Sequence, residues 1–219
     1  MKRIGLISDT HGYWDDRYES YFAECDEVWH AGDIGSEALA DRFERLWVFR
    51  AVAGNIDDHK MRLRFGKVLR FRCEQVDVLL THIGGYPGKY APEIKRELFS
   101  DAPKLFVCGH SHILKVLYDH SLEMLCMNPG AAGNFGFHAV RTLLRFVIDG
   151  ENIKDLEVIE ECSDKKHIDT GKWPSAAITA SPRVGFSWDV LGNNSLKVRG
   201  GTGLFSGRLP LVFFTNMPT

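Results

Sequence analysis

Residues 3–12 read RIGLISDTHG, residues 27–35 read EVWHAGDIG, and residues 47–57 read WVFRAVAGNID. Each is an apolar, β-branched run that stops at small residues and polar side chains: Asp9 with His11, then Asp33, then Asn55. Between the first two runs, residues 15–25 place Tyr18, Tyr21 and Phe22 at helical spacing. Between the second and third, Ser36 followed by Glu37 reads as an N-cap opening a helix to residue 45. Strand–helix–strand alternation predicts parallel pairing with helices packed on the sheet. In such sheets functional groups collect beyond the carboxyl ends of the strands. Each polar motif falls there.

Two more motifs follow the same rule: Thr81-His82 after the apolar run 76–80, and Gly109-His110-Ser111-His112 after 104–108. A single strand-end aspartate more often caps a helix or turn than binds a metal. Five such motifs at strand ends make a stronger case. Imidazoles, carboxylates and one amide oxygen suit borderline divalent ions. Asp9, His11, Asp33, Asn55, His82, His110 and His112 are enough for two ions, with Asp33 as the shared carboxylate. Water held between two dications loses its proton near neutral pH, so attack at phosphorus needs no protein base. The same ions stabilise charge developing on phosphate oxygens. The expectation is a dinuclear phosphoesterase that hydrolyses phosphodiesters or activated phosphomonoesters by in-line attack of a metal-bridging hydroxide. Asp33, Asn55 and His110 are expected to take part in catalysis as well as ligation. Mn²⁺ is the first expectation for both ions, with Zn²⁺, Fe²⁺, Co²⁺ and Ni²⁺ as alternatives.

Later runs at 68–73 and 76–80 read as a hairpin, 92–99 as a helix, and 115–118, 123–127, 140–148 and 153–159 as strands. They predict a mixed two-layer β core within a domain spanning residues 1–162. Periodicity fades after about residue 161, where glycine, proline and serine become frequent. Residues 163–219 are expected to be poorly ordered or loosely packed, with a small β appendage as the alternative. The only compact apolar run there is 209–214. A net charge of -2 gives no basic field, so no stable nucleic-acid partner is expected. The five cysteines form no CxxC pair, which predicts free thiols in the cytoplasm. No leader-like segment and no membrane span of roughly 18 apolar residues is read. The expected partner is a small phosphate-ester substrate, and a homo-oligomer is left open.

Taken together, the five motifs resemble the calcineurin-like metallophosphoesterase superfamily. The resemblance is to the small group of YfcE-type bacterial phosphodiesterases and covers residues 1 to about 160. That group shares its fold with vacuolar protein sorting protein 29, a retromer subunit. The resemblance implies a four-layer α/β/β/α sandwich with two mixed β-sheets. It implies one ion on Asp9, His11, Asp33 and His112, and a second on Asp33, Asn55, His82 and His110. Asn128-Pro129-Gly130 resembles the family's late loop near the site. The alternative it carries is a non-catalytic scaffold for protein–protein contacts, which would have no need of a complete ligand set. One departure stands out: Ile56 occupies the place of a histidine that many superfamily members use to protonate the leaving group. The small group also lacks that histidine, and aryl esters are therefore expected to react better than alkyl esters. Asp57, next in the chain, is expected to be ionised and unable to donate. His30, inside a run, reads as a core residue. His138, at the end of a glycine-rich segment, reads as a residue without a site role, with the site edge as the alternative. Residues 84–89 (GGYPGK) lack the spacing of a nucleotide P-loop. They are expected to form a flexible rim beside His82 that offers Tyr86 or Lys89 to a substrate.

Overall fold

The computed structural model describes residues 1–136, 138, 140–162, 183–189 and 197–203, with only the backbone for Cys162 and the last two segments. The first half contains β1 (Lys2–Ile7), α1 (Arg17–Tyr21), β2 (Glu27–His30), α2 (Glu37–Leu46), β3 (Val48–Ala51) and α3 (His59–Phe65). Next come β4 (Val68–Cys73), β5 (Val76–Thr81), β6 (Gly85–Tyr86), β7 (Lys89–Tyr90) and α4 (Pro92–Ser100). The run continues through β8 (Leu105–Val107), β9 (Leu114–Asp119), β10 (Met124–Pro129), β11 (Val140–Asp149) and β12 (Asn152–Cys162). One compact unit spans Met1–Ile168 and a second spans Asp169–Thr219. In the second, β13 (Arg183–Asp189) pairs antiparallel with β14 (Lys197–Gly203). The apolar run 209–214 lies outside the described residues.

Two five-stranded mixed sheets, ordered β12-β11-β1-β2-β3 and β4-β5-β8-β10-β9, build the first unit. Each has three adjacent parallel strands: β1-β2-β3, with β3 at the edge and antiparallel β11 and β12 added beside β1, and β5-β8-β10, flanked by antiparallel β4 and β9. Successive residues of a strand face opposite sides, and nearly all of these are apolar because both faces are covered. Ile4, Leu6, Val78, Leu80, Leu105, Val107, Leu144 and Phe146 meet in one core between the sheets. Their neighbours turn outward. Ile7, Val28 and Leu143 meet Tyr18, Phe43 and Met61 of the first three helices. Leu79, Phe106 and Cys126 meet Ile94 and Leu98 of α4. The layers run α/β/β/α. None of the helices among the described residues is long and apolar enough to cross a membrane.

The first helix is shorter than its aromatic spacing predicts. Asp15 is drawn out of it: its carboxylate accepts from Arg141 Nη1 at 2.8 Å and Arg17 Nη2 at 2.8 Å. Arg17 also pairs with Glu161, tying α1 to β12. At the other end Asp26 N–H donates to Arg3 O at 2.8 Å, so the chain leaves the helix to enter the sheet. The third helix is one that hydrophobic spacing does not announce. Its start is local: Asp58 accepts from Met61 N–H at 2.9 Å, and Gly66 closes the other end with φ +66°.

Candidate metal centre

All seven expected ligand residues stand just beyond strand ends at one edge of the sandwich. Asp9 and His11 follow β1, Asp33 follows β2, Asn55 follows β3, His82 follows β5, and His110 and His112 follow β8. Turning the chain there requires left-handed backbone. Five of the seven adopt it: Asp9 (φ +55°), His11 (+49°), Asp33 (+56°), His110 (+68°) and His112 (+56°). Such conformations are uncommon for residues with side chains and cluster at functional sites. Hydrogen bonds between the loops hold them: His11 N–H to Asp33 O at 3.0 Å, Gly109 N–H to His82 O at 3.0 Å, and Gly133 N–H to Asp9 O at 3.0 Å.

Two clusters of candidate ligand atoms result, Asp9–His11–His112 and Asp33–His82–His110. In the first, Asp9 Oδ2 accepts from Ser8 Oγ at 2.6 Å and from His110 N–H at 3.1 Å. Asp9 Oδ1 is buried with no hydrogen-bond partner among the described residues. It lies 3.2 Å from His112 Nε2, which lies 3.3 Å from His11 Nε2. Two imidazole nitrogens therefore gather with a carboxylate oxygen that has no hydrogen bond among the described residues, three potential donors to a cation.

The second cluster is organised by His82. Its Nδ1–H donates to Ala31 O at 2.8 Å, which turns Nε2 inward toward Asn55 Oδ1 at 3.0 Å and Asp33 Oδ1 at 3.3 Å. A backbone carbonyl fixing the tautomer is the usual support for a metal-binding imidazole. Asp33 reaches both clusters, because its Oδ2 lies 3.9 Å from His11 Nε2. Burial pulls the His82 pKa down, but the hydrogen bond to Asp33 and the charges of Asp9 and Asp33 outweigh it, and the result is raised. For Asp33, burial pushes upward and is outweighed by His82, Ile56 N–H and His11, so its pKa is lowered. Burial lowers that of His11.

Two glycines of the motifs are explained by close approach. A Cβ on Gly54 would collide with Asp33 Oδ1 and the Asp33 amide, and one on Gly109 with Ser8 Oγ, Ala31 O and Asp9 Oδ2. Asp57 does not face the cleft. Its carboxylate accepts from Ile34, Gly35 and Gly54 N–H at 3.2, 2.7 and 2.7 Å, bracing two of the loops. His30 is fully buried; Nδ1 accepts from Gly32 N–H at 3.2 Å, so Nε2 donates to Thr10 Oγ1 at 2.9 Å. Burial pushes its pKa down to about 4. His138 Nε2–H donates to Gly133 O at 2.9 Å, with its ring 5.3 Å from that of His112. Asn128 Nδ2–H donates to Gly109 O at 2.8 Å and Ser111 Oγ at 3.1 Å, supporting the His110 turn from the late loop.

Sequence reasoning missed Ser8, which orients Asp9, and the bracing role of Asp57; only their adjacency to the motifs hinted at either. It also missed the apolar rim. Ile56, Ile83 and Ile113 are 46 %, 43 % and 40 % exposed beside candidate ligands, and the Phe135 ring lies tilted against that of His11 at 5.1 Å between centres. The segment expected as a flexible rim is the β6–β7 hairpin.

This sandwich and its motif-bearing edge define a metallophosphoesterase fold. The chain belongs to the calcineurin-like phosphoesterase superfamily, whose domain matches residues 1–151. It is 28 % identical over 137 residues to a probable metallophosphoesterase of Methanothermobacter thermautotrophicus, covering 58 % of this chain and 76 % of that protein. An archaeal phosphodiesterase shares the fold at a TM-score of 0.56 and 19 % identity, over 72 % of this chain and 99 % of the other. Vps29 of Entamoeba histolytica, solved in complex with Zn²⁺, does so at 0.53 and 13 % identity, over 73 % and 98 %.

Proposed function

We propose that this protein is a metal-dependent phosphoesterase acting on a small phosphodiester or activated phosphomonoester. Its centre is read as dinuclear, with Asp9, His11, Asp33 and His112 on one ion and Asp33, Asn55, His82 and His110 on the other. The observation that carries the reading is Asp9 Oδ1: a buried carboxylate oxygen without a hydrogen bond among the described residues, with the His112 Nε2 nitrogen 3.2 Å away. Leaving such an atom unpaired costs roughly 1–3 kcal/mol or more, and a cation among these three groups removes the cost. A pair of divalent ions, once bound, supplies Lewis acidity toward phosphate oxygens and acidifies water. The chain's own contribution is orientation. Ala31 O sets the His82 tautomer, Ser8 and His110 N–H set the Asp9 rotamer, and Ile56 N–H sets Asp33. Mn²⁺ is the proposed ion, on the mixture of oxygen and imidazole donors.

The test is hydrolysis of bis(p-nitrophenyl) phosphate and p-nitrophenyl phosphate by the purified full chain with Mn²⁺. Turnover that chelation abolishes is expected, and Asp33→Ala should lose on the order of 10²-fold or more. A folded, metal-loaded chain inert toward both esters would instead favour the scaffold reading. Near-normal turnover in Asp33→Ala would refute the shared carboxylate.

A further inference from the structure

Beside His110 a cleft of about 540 Å³ opens between the β6–β7 hairpin and the chain from Ser111 to Lys115. Its walls include Ile83, Tyr86, Lys89, Ile113 and Lys115. Three observations bear on its occupant. The first is size: this volume falls in the range of small-ligand sites and exceeds what one phosphate needs. The second is the apolar wall, since Tyr86, Ile83 and Ile113 are 38 %, 43 % and 40 % exposed although each stands beside polar site residues. The third is charge. Lys115 Nζ sits 3.8 Å above the Tyr86 ring, and among the described residues neither Lys115 nor Lys89 has an ion pair with a carboxylate.

The cleft is built on a firm frame. Tyr90, buried at the end of the hairpin, donates from its hydroxyl to Asp119 Oδ2 at 2.6 Å. Asp119 Oδ1 is held in turn by Ser121 and Leu122, so this carboxylate does not face the lysines as a free partner. Ala91 N–H donates to Gly84 O at 3.0 Å, closing the hairpin base.

We infer that this cleft is a substrate subsite for phosphodiesters carrying, beyond the scissile phosphate, a flat ring and a second anionic group. The ring lies against Tyr86, Ile83 and Ile113, and the anion is met by Lys89 and Lys115. Nucleotide-type esters have this chemistry. The inference rests on the phosphoesterase reading for its catalytic arm, and a binding arm is independent of it.

The catalytic arm uses three Mn²⁺-supported substrates with one nitrophenolate leaving group: methyl p-nitrophenyl phosphate, thymidine 5′-(p-nitrophenyl phosphate), and the latter with a 3′-phosphate. Expected kcat/KM rises at each addition, by about tenfold for the second phosphate. In Lys89→Ala/Lys115→Ala the ratio of the last two substrates should fall toward one, and in Tyr86→Ala the ratio of the first two should fall. Ratios within one variant cancel any general loss of folded enzyme. The binding arm titrates thymidine 3′,5′-bisphosphate and thymidine 5′-monophosphate into the full chain by calorimetry. Tighter binding of the bisphosphate, lost in the double lysine variant, supports the subsite even if no ester is turned over; that outcome would overturn only the phosphoesterase reading. Equal affinity for the two nucleotides, or a preference that survives loss of both lysines, overturns the subsite.

Discussion

At the scale of single residues, His82 carries the clearest consequence. Its pKa is raised, because the hydrogen bond to Asp33 and the charges of Asp9 and Asp33 outweigh burial, and the proton this favours sits on Nε2 between Asp33 Oδ1 and Asn55 Oδ1. That proton stands where a cation would bring its charge. Ligation requires the neutral imidazole, so metal and proton compete. The sign follows: as pH rises through the His82 pKa the proton leaves on its own and binding tightens, and as pH falls below it binding weakens. Burial shifts His11 the other way, toward the neutral form that ligation needs. Calorimetry of Mn²⁺ uptake from about pH 6 to pH 8, in buffers of different ionisation heat, should show proton release that shrinks as pH rises. Affinity independent of pH would show that His82 is not a ligand. At this scale the motif side chains were legible, because Asp, Asn and His at strand ends announce themselves. Ser8 and Asp57 were not, since a hydroxyl or carboxylate accepting backbone N–H groups looks like any loop residue until the loops are brought together.

Among elements, strands were easiest to read. β1, β2, β5 and β8 are largely buried on both faces, so they appear as mostly apolar runs, interrupted at Glu27 and Asp77, whose ends lie within a residue or two of those expected. α1 is overestimated, because aromatic spacing cannot reveal that Asp15 is committed to Arg141, more than a hundred residues away. α3 shows the reverse. Only Met61 of its seven residues is fully buried, so it has no apolar stripe to read. Its existence leans on capping. Asp58→Ala should therefore destabilise the protein by about 1 kcal/mol, with Asp58→Asn recovering most of it. Denaturant unfolding of the two variants measures this. No difference between Asp58→Ala and the natural chain would mean that packing of Met61 and Phe65 alone holds the helix.

For the molecule as a whole, the three apolar clusters draw their residues from positions 4 to 159. A chain ended at Ile168 should fold cooperatively, keep its metal uptake and unfold within a few degrees of the full chain. Thermal unfolding followed by circular dichroism tests this; insoluble expression or a large fall in midpoint would show that the second unit completes a core. The two-sheet architecture was legible from alternation and from the family resemblance together. The β13–β14 pair was not, because glycine and serine interrupt the period-2 pattern that marks a half-buried strand.

The candidate ligands are divided between the two sheets: Asp9, His11, Asp33 and Asn55 extend from one, and His82, His110 and His112 from the other. Neither sheet alone can assemble a centre, so the clusters exist only after the sheets have docked. An ion held by both sheets is therefore expected to act as a latch: its ligands are complete only once the sheets have met, so its stabilisation should appear more as slower unfolding than as faster folding. Stopped-flow refolding and unfolding with and without Mn²⁺ would measure the split, and a folding rate that rises with metal as much as the unfolding rate falls would overturn it.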